Sequence, residues 1–316
     1  MTQARFVHIV DDVPELDEQD ERPVMLVALD GFLDAGNASA LAVEHLVGSV
    51  STGSTTSGGR VVASFEVDEF YDYRARRPPL TFQENRYADY EAPRLVVRLL
   101  SDQEGRPYLL LAGPEPDIRW EAFAQAVRRV VEHFDVRLVV SLGSVPMAVP
   151  HTRPVQLTNH ATSDHLLTQE NVWRGELRVP SSAQALLELR LGEWGFDALG
   201  WVAHIPHYVA QLGYPLASVA LLDAIGSTTG LSWDVEALRE AGTKQTVEIE
   251  SQLSESGEVR DVVRGLEQQY DAFHRAAESE SNLLAEGEPM PSGDEIGAQF
   301  EQFLAGLDDK PDGGEQ

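Results

Sequence analysis

Three apolar runs in this sequence end in segments that hold the residue types chemistry needs. Val24–Leu29 is followed by Asp30-Gly31-Phe32-Leu33-Asp34-Ala35-Gly36-Asn37, with two carboxylates four residues apart and two glycines. Such a turn suits an anion at free helix N–H groups or a hydroxyl-rich ligand held by aspartate. It equally suits a tight strand-to-helix turn made by Gly31 and Gly36 and capped by Asn37. Leu138–Leu142 is followed by Gly143 to Pro154, where Pro146, Pro150 and Pro154 stiffen the path after Gly143 and Ser144. His151 and Arg153 there set a group titrating near neutrality beside a permanent cation. Trp201–Ile205 runs into His204-Ile205-Pro206-His207-Tyr208. In one cleft, His151 would be the general acid or base, Arg153 the anion holder, and Asp30 or Asp34 the orienting carboxylate. The rival is a buried polar network that only ties loops together.

The elements that must position these residues alternate along the chain. Strands are predicted at Phe6–Val10, Val24–Leu29, Val61–Val67, Arg94–Leu100, Tyr108–Leu111, Leu138–Leu142, Val155–Asn159, Leu177–Val179 and Trp201–Ile205. Helices are predicted at Ala38–Val47, Trp120–Phe134, Ala183–Trp194 behind Ser181 or Ser182, and Pro215–Ile225. Strands apolar almost throughout need helices on both faces, so the fold class is α/β, a three-layer α/β/α sandwich with a C-terminal helical extension. With a largely parallel sheet, the three loops leave carboxyl strand ends and converge.

Organisation follows charge. Thr243–Gln316 carries 18 acidic residues against 5 basic ones, which predicts a core over 1–232, an acidic helical extension over 233–307 and a disordered tail over 308–316. Val259, Val262, Val263, Leu266, Tyr270 and Phe273 form one helical stripe, and Ser292 with Glu295 opens a final helix bearing Ile296 to Leu307. Asp11–Glu21 reads as an exposed acidic loop.

Several chemistries are disfavoured. A net charge of −28 argues against nucleic acid and anionic membranes as partners. No apolar run approaches a membrane span and no export signal opens the chain, which predicts a cytoplasmic protein. With no cysteine there is no disulfide, thiolate metal site or cysteine nucleophile. His160 and His165 lack a third ligand at metal spacing, so no metal is expected. Ser51–Gly59 lacks the Lys-Ser/Thr ending of a phosphate loop, and no Gly-x-Ser-x-Gly elbow occurs. No cofactor is implied. Asp72–Pro79, the one concentrated basic segment, reads as a salt-bridging loop within or between subunits.

The Asp30–Asn37 loop, Asp72 to Pro78, Gly143 to Pro154 and His204–Tyr208 together resemble the actinobacterial branch of the proteasome assembly chaperone 2 family, over about Phe6–Gly226. The resemblance implies a core similar to the purine nucleoside phosphorylase and hydrolase fold, a homo-oligomer with a trimer favoured, and a protein client. It points to a non-catalytic binding or assembly factor. The alternative is a small-molecule hydrolase or phosphorylase-like enzyme acting on a nucleoside-like or phosphorylated ligand, with Asp30, Gly31, Asp34, Gly36, Asn37, Gly143, Ser144, His151, Arg153 and His204 around the cleft.

Overall fold

The structure is a computed structural model that describes residues 6–17, 21–48, 58–167, 176–253 and 257–280. The elements follow in the order β1 (Val7–Ile9), α1 (Pro14–Asp17), β2 (Val24–Asp30), α2 (Ala38–Gly48), β3 (Arg60–Phe65), β4 (Thr81–Gln83), β5 (Arg86–Ala88), β6 (Val96–Ser101) and β7 (Pro107–Pro114). Then come α3 (Trp120–His133), β8 (Leu138–Met147), β9 (Leu157–Ala161), α4 (Ala183–Glu193), β10 (Ala198–Pro206), α5 (Pro215–Thr229), α6 (Glu236–Leu253) and α7 (Gly257–Glu280). The chain divides into two compact units, one of Met1–Val172 with Ser181–Tyr270, the other of Trp173–Pro180 with Asp271–Gln316.

Eight strands of the first unit form one sheet in the order β1-β3-β6-β7-β2-β8-β10-β9. Side chains alternate across it with period two. Met25, Val27, Leu29 and Val139 pack with Phe123, Val127 and Val130 of α3 and Leu187 and Leu191 of α4. Leu26, Ala28, Val140, Leu142, Trp201 and Ile205 face the other way, onto Ala42 and Leu46 of α2 and Leu221 and Ile225 of α5. The result is the three-layer α/β/α sandwich that the doubly apolar strands call for.

Only the centre is parallel. The pairings β7–β2, β2–β8 and β8–β10 are parallel, and the other four are antiparallel, which corrects the expectation of a largely parallel sheet. Between β6 and β7 lie only residues 102–106, too few for the crossover that parallel neighbours need. Three further expectations fail locally. Leu177–Val179 is not a strand, since three alternating residues carry too little pairing to hold one. Gly143–Met147 is not loop but the continuation of β8, paired with Val202–Pro206. Ser144 N–H points to the β2 side, where it donates to Leu33 C=O at 3.0 Å. Pro146, two residues on, turns its missing donor the same way, so the β8–β10 ladder loses nothing. The acidic Asp11–Glu21 segment contains the one-turn α1, and the β4–β5 hairpin was not anticipated at all.

From Gly230 to Leu253 the chain stays on the same core. Gly230, at φ 80°, ends α5. Trp233 Nε1–H donates to Tyr108 Oη at 3.2 Å, and Leu238 and Ile249 of α6 join the cluster under α5. Gly242 faces Leu216, where an added Cβ would come within 2.6 Å of its Cγ. On α7, Val263 is buried whereas Val262 is 44% exposed, so the stripe is narrower than the sequence suggested. The final helix and tail expected beyond Ser292 lie outside the described residues, as do 51–57 of the serine-threonine turn.

Ile249→Ala should therefore destabilise the full chain by about 2–4 kcal/mol, as core truncations do, while Val262→Ala stays within about 0.5 kcal/mol. Urea unfolding measures both, and an Ile249→Ala variant as stable as the parent would detach α6 from the core.

Candidate functional site

β2, β8 and β10 are neighbours, so the three polar segments do leave the same edge of the sheet. What they do there is bind one another. Asp34 Oδ1 accepts from Ser39 N–H at 2.7 Å, so Asp34 rather than Asn37 caps α2. Asn37 itself adopts a left-handed conformation, φ 49°, and its N–H donates to Asp34 C=O at 3.1 Å. The cap corrects the capping expectation, because Asp34 starts the short 3-10 turn that runs into α2, one turn earlier than the sequence pattern indicated. Burial raises the Asp34 pKa, against the lowering effect of the Ser39 and Ala40 N–H groups. Asp30 is likewise raised, by protein around its carboxyl and then by Asp34, with the Arg76 charge opposing.

Gly36, at φ 66°, links the first segment to the third: its N–H donates to Ala210 C=O at 2.8 Å and its C=O accepts from Tyr214 N–H at 2.7 Å. A Cβ there would lie 2.9 Å from that of Tyr214. Ser144, fully buried, donates from Oγ to Ala35 C=O at 2.7 Å. Gly143 lies between Leu33 and the Gln184 amide, and Gln184 Nε2–H donates to Leu142 C=O at 2.9 Å.

Glu115, at the end of β7, is the residue that sequence reasoning missed. Its Oε2 accepts from Phe32 N–H at 3.0 Å and its Oε1 from Ala183 N–H at 2.7 Å in the first turn of α4. Gly31 leaves the space: a Cβ there would sit 2.2 Å from Glu115 Oε2. Arg76 donates to Glu115 C=O and pairs with Asp117 at 2.8 Å, which gives the basic 72–79 segment an internal salt bridge. The available signal was Pro114-Glu115-Pro116, a fourth strand end with an acid between two prolines.

The second segment turns toward the helices instead. Tyr208 Oη contacts His151 twice, accepting from its N–H at 2.9 Å and meeting Nδ1 at 2.7 Å. His151 is buried, and its Nε2 has no hydrogen-bond partner. Burial lowers the His151 pKa, with Glu250 and Glu267 pulling it back, and raises that of Tyr208 to about 12. Arg153 pairs with Glu267 of α7 at 3.3 Å, and Tyr270 Oη donates to Pro154 C=O at 3.1 Å. His204 lies on β10, with Nε2 2.8 Å from Thr158 Oγ1 on β9, and burial pushes its pKa down to about 4.

The contacts gather Asp30, Asp34, Ser144 and Glu115 around the first segment, and His151, Tyr208, Arg153 and Glu267 around the second. Hydrogen bonds through Gly36 and Tyr208 tie both to the third segment. Neither of two cavities in the first unit is lined by the first-segment carboxylates or by His151. One of about 480 Å³ opens beside Phe6, Glu69, Arg119 and Ala122, and one of about 10 Å³ is a gap between the sheet and α4. Among the described residues no group of three His, Asp or Glu could hold a metal ion, and no helix is long and apolar enough to cross a membrane.

His204 gives this region a pH signature. A folded pKa of about 4 against an unfolded value near 6.5 means that the unfolded chain takes up the proton first, so stability is complete above pH 6.5 and falls as the pH drops toward 4. Between pH 7 and pH 4.5 the His204 contribution to that loss is about 2–3 kcal/mol, and a His204→Gln variant should lack it. Denaturant titrations at the two pH values test this; equal losses in both proteins would contradict it.

Among solved structures, a Mycobacterium tuberculosis protein of unknown function is 41% identical, with a TM-score of 0.80 over 89% of this chain and 94% of its own. A Corynebacterium glutamicum protein of unknown function is 35% identical, with a TM-score of 0.79 over 86% and 99%. A Mycobacterium tuberculosis proteasome-assembly chaperone homologue is 25% identical, with a TM-score of 0.69 over 76% and 99%. No curated protein matches the chain. The PAC2 family model matches residues 28–253, from the end of β2 through α6, and on that match and those structures the chain belongs to the PAC2 family.

Proposed function

We propose that the protein is a non-catalytic, protein-binding assembly factor that acts in the cytoplasm as a homo-oligomer, with a trimer as the favoured state. The observation that carries this reading is that the protein's own carboxylates take up backbone N–H groups at the carboxyl ends of β7 and β2. In an open α/β sheet a ligand binds there, at the point where successive connections diverge. Here the Glu115 carboxylate takes the N–H groups of Phe32 and Ala183, and Asp34 takes that of Ser39. An anion or a hydroxyl-rich substrate would have to displace the protein's own carboxylates. The relative described as a proteasome-assembly chaperone homologue supports a protein client for this chain as well.

One observation favours the second reading, a hydrolase or phosphorylase-like enzyme: the unpartnered, buried Nε2 of His151. Native mass spectrometry and thermal melts with purine and pyrimidine nucleosides, with and without phosphate, separate the two. The assembly reading predicts an oligomer by light scattering, no retained small molecule and no shift in melting with any nucleoside. A nucleoside that raises the melting temperature of the parent but not of His151→Ala or Arg153→Ala, both folded, and that the parent cleaves with water or phosphate, would establish the enzyme instead.

A further inference from the structure

β4 and β5 pair only with each other, through Thr81↔Ala88, Phe82↔Tyr87 and Gln83↔Arg86, with Glu84 at φ 55° in the two-residue turn. Every residue from Leu80 to Tyr87 is exposed. A hairpin this short does not hold its shape in water by itself. Its two legs stay paired at the base, where Glu91 N–H donates to Pro79 C=O at 3.1 Å. Its tip is bare. Phe82 and Tyr87 stack edge to face, centroids 5.2 Å apart, yet are 61% and 73% exposed, and Leu80 shares their face of the ribbon.

The charge around them is unlike the rest of the molecule. The protein has 52 acidic and 24 basic residues, but residues 72–94 hold five arginines and four acids. Arg74, Arg77 and Arg86 are exposed, and their guanidinium groups make no ion pair with a described residue. Exposed aromatics beside free arginines are the composition of interface anchors.

We infer that this hairpin is an assembly arm, in which Leu80, Phe82 and Tyr87 with Arg74, Arg77 and Arg86 dock on the acidic surface of a second copy of the chain. Copies carrying −28 each repel one another, so self-association must bring unpaired cations to the contact, and this arm presents three of them beside its apolar face. An arm that meets a different surface on its neighbour makes a head-to-tail contact, which forms a ring where the rotation between copies closes. The inference rests on the oligomer proposed above and names its contact.

Sedimentation equilibrium of the full-length chain tests it with two independent variants, Phe82→Ser/Tyr87→Ser and Arg77→Glu/Arg86→Glu. Because none of the four side chains is in the core, both should keep the parent's far-ultraviolet dichroism and a cooperative melt, yet dissociate about a hundred-fold more readily, as loss of paired anchors does. Tyr87→p-benzoylphenylalanine should cross-link on illumination to another copy. A parent that is monomeric at tens of micromolar would overturn the oligomer and the arm together. A parent oligomer that both variants leave intact, or cross-links that reach only other proteins, would overturn the arm and leave the oligomer standing.

Discussion

The two hydrogen bonds that the Glu115 carboxylate accepts, from Phe32 N–H after β2 and from Ala183 N–H at the start of α4, hold together three elements that are far apart in sequence. Charge-assisted bonds of this kind contribute about 1.5–3 kcal/mol each, and here they also place a negative group at the positive end of a helix dipole. Neighbouring residues conform to them. Gly31 has no side chain because Glu115 occupies the space, Arg76 holds the backbone at Glu115, and Gln184, one residue beyond Ala183, reaches back to Leu142 of β8. Glu115 thereby takes up backbone N–H groups that the crevice of a doubly wound sheet would otherwise offer a ligand.

Several other polar groups along this edge are consumed in the same manner, while the Asp30 carboxylate stays exposed and His151 Nε2 has no partner. Asp34 caps α2, Ser144 and Gly36 tie the first segment to β8 and to the start of α5, and Tyr208 and Glu267 hold the proline segment between β10 and α7. A site built to turn over a substrate keeps donors and acceptors available for it. This edge spends most of them on loop-to-loop contacts.

Much of the fold was legible because burial writes itself into sequence. Val24–Leu29 and Leu138–Leu142 are apolar on both faces, which dictates helices on both sides of the sheet. Ser182 caps α4, accepting from Ala185 N–H at 3.0 Å, as its position before an apolar repeat indicates. Pairing was less legible: the direction of β9 depends on neighbours that no local pattern names, and the short 102–106 link, which makes β6 antiparallel to β7, went unread. At the site, Asp30, Asp34, Ser144 and His151 stood out by type and by strand-end position. Their partners Glu115 and Tyr208 did not, because a glutamate between prolines and a tyrosine after a strand acquire meaning only when distant segments meet. The β4–β5 hairpin escaped for the opposite reason, since three-residue strands without a buried face leave no periodic signal.

Amide hydrogen exchange at Phe32 and Ala183 measures the hold of Glu115 on the two N–H groups directly. With Glu115 holding both N–H groups, the two amides should exchange slowly in the parent and at least about ten-fold faster in Glu115→Ala, while Leu26 and Val140 in the sheet keep their protection. Rapid exchange of both amides in the parent, or rates untouched by the substitution, would contradict their capture by Glu115.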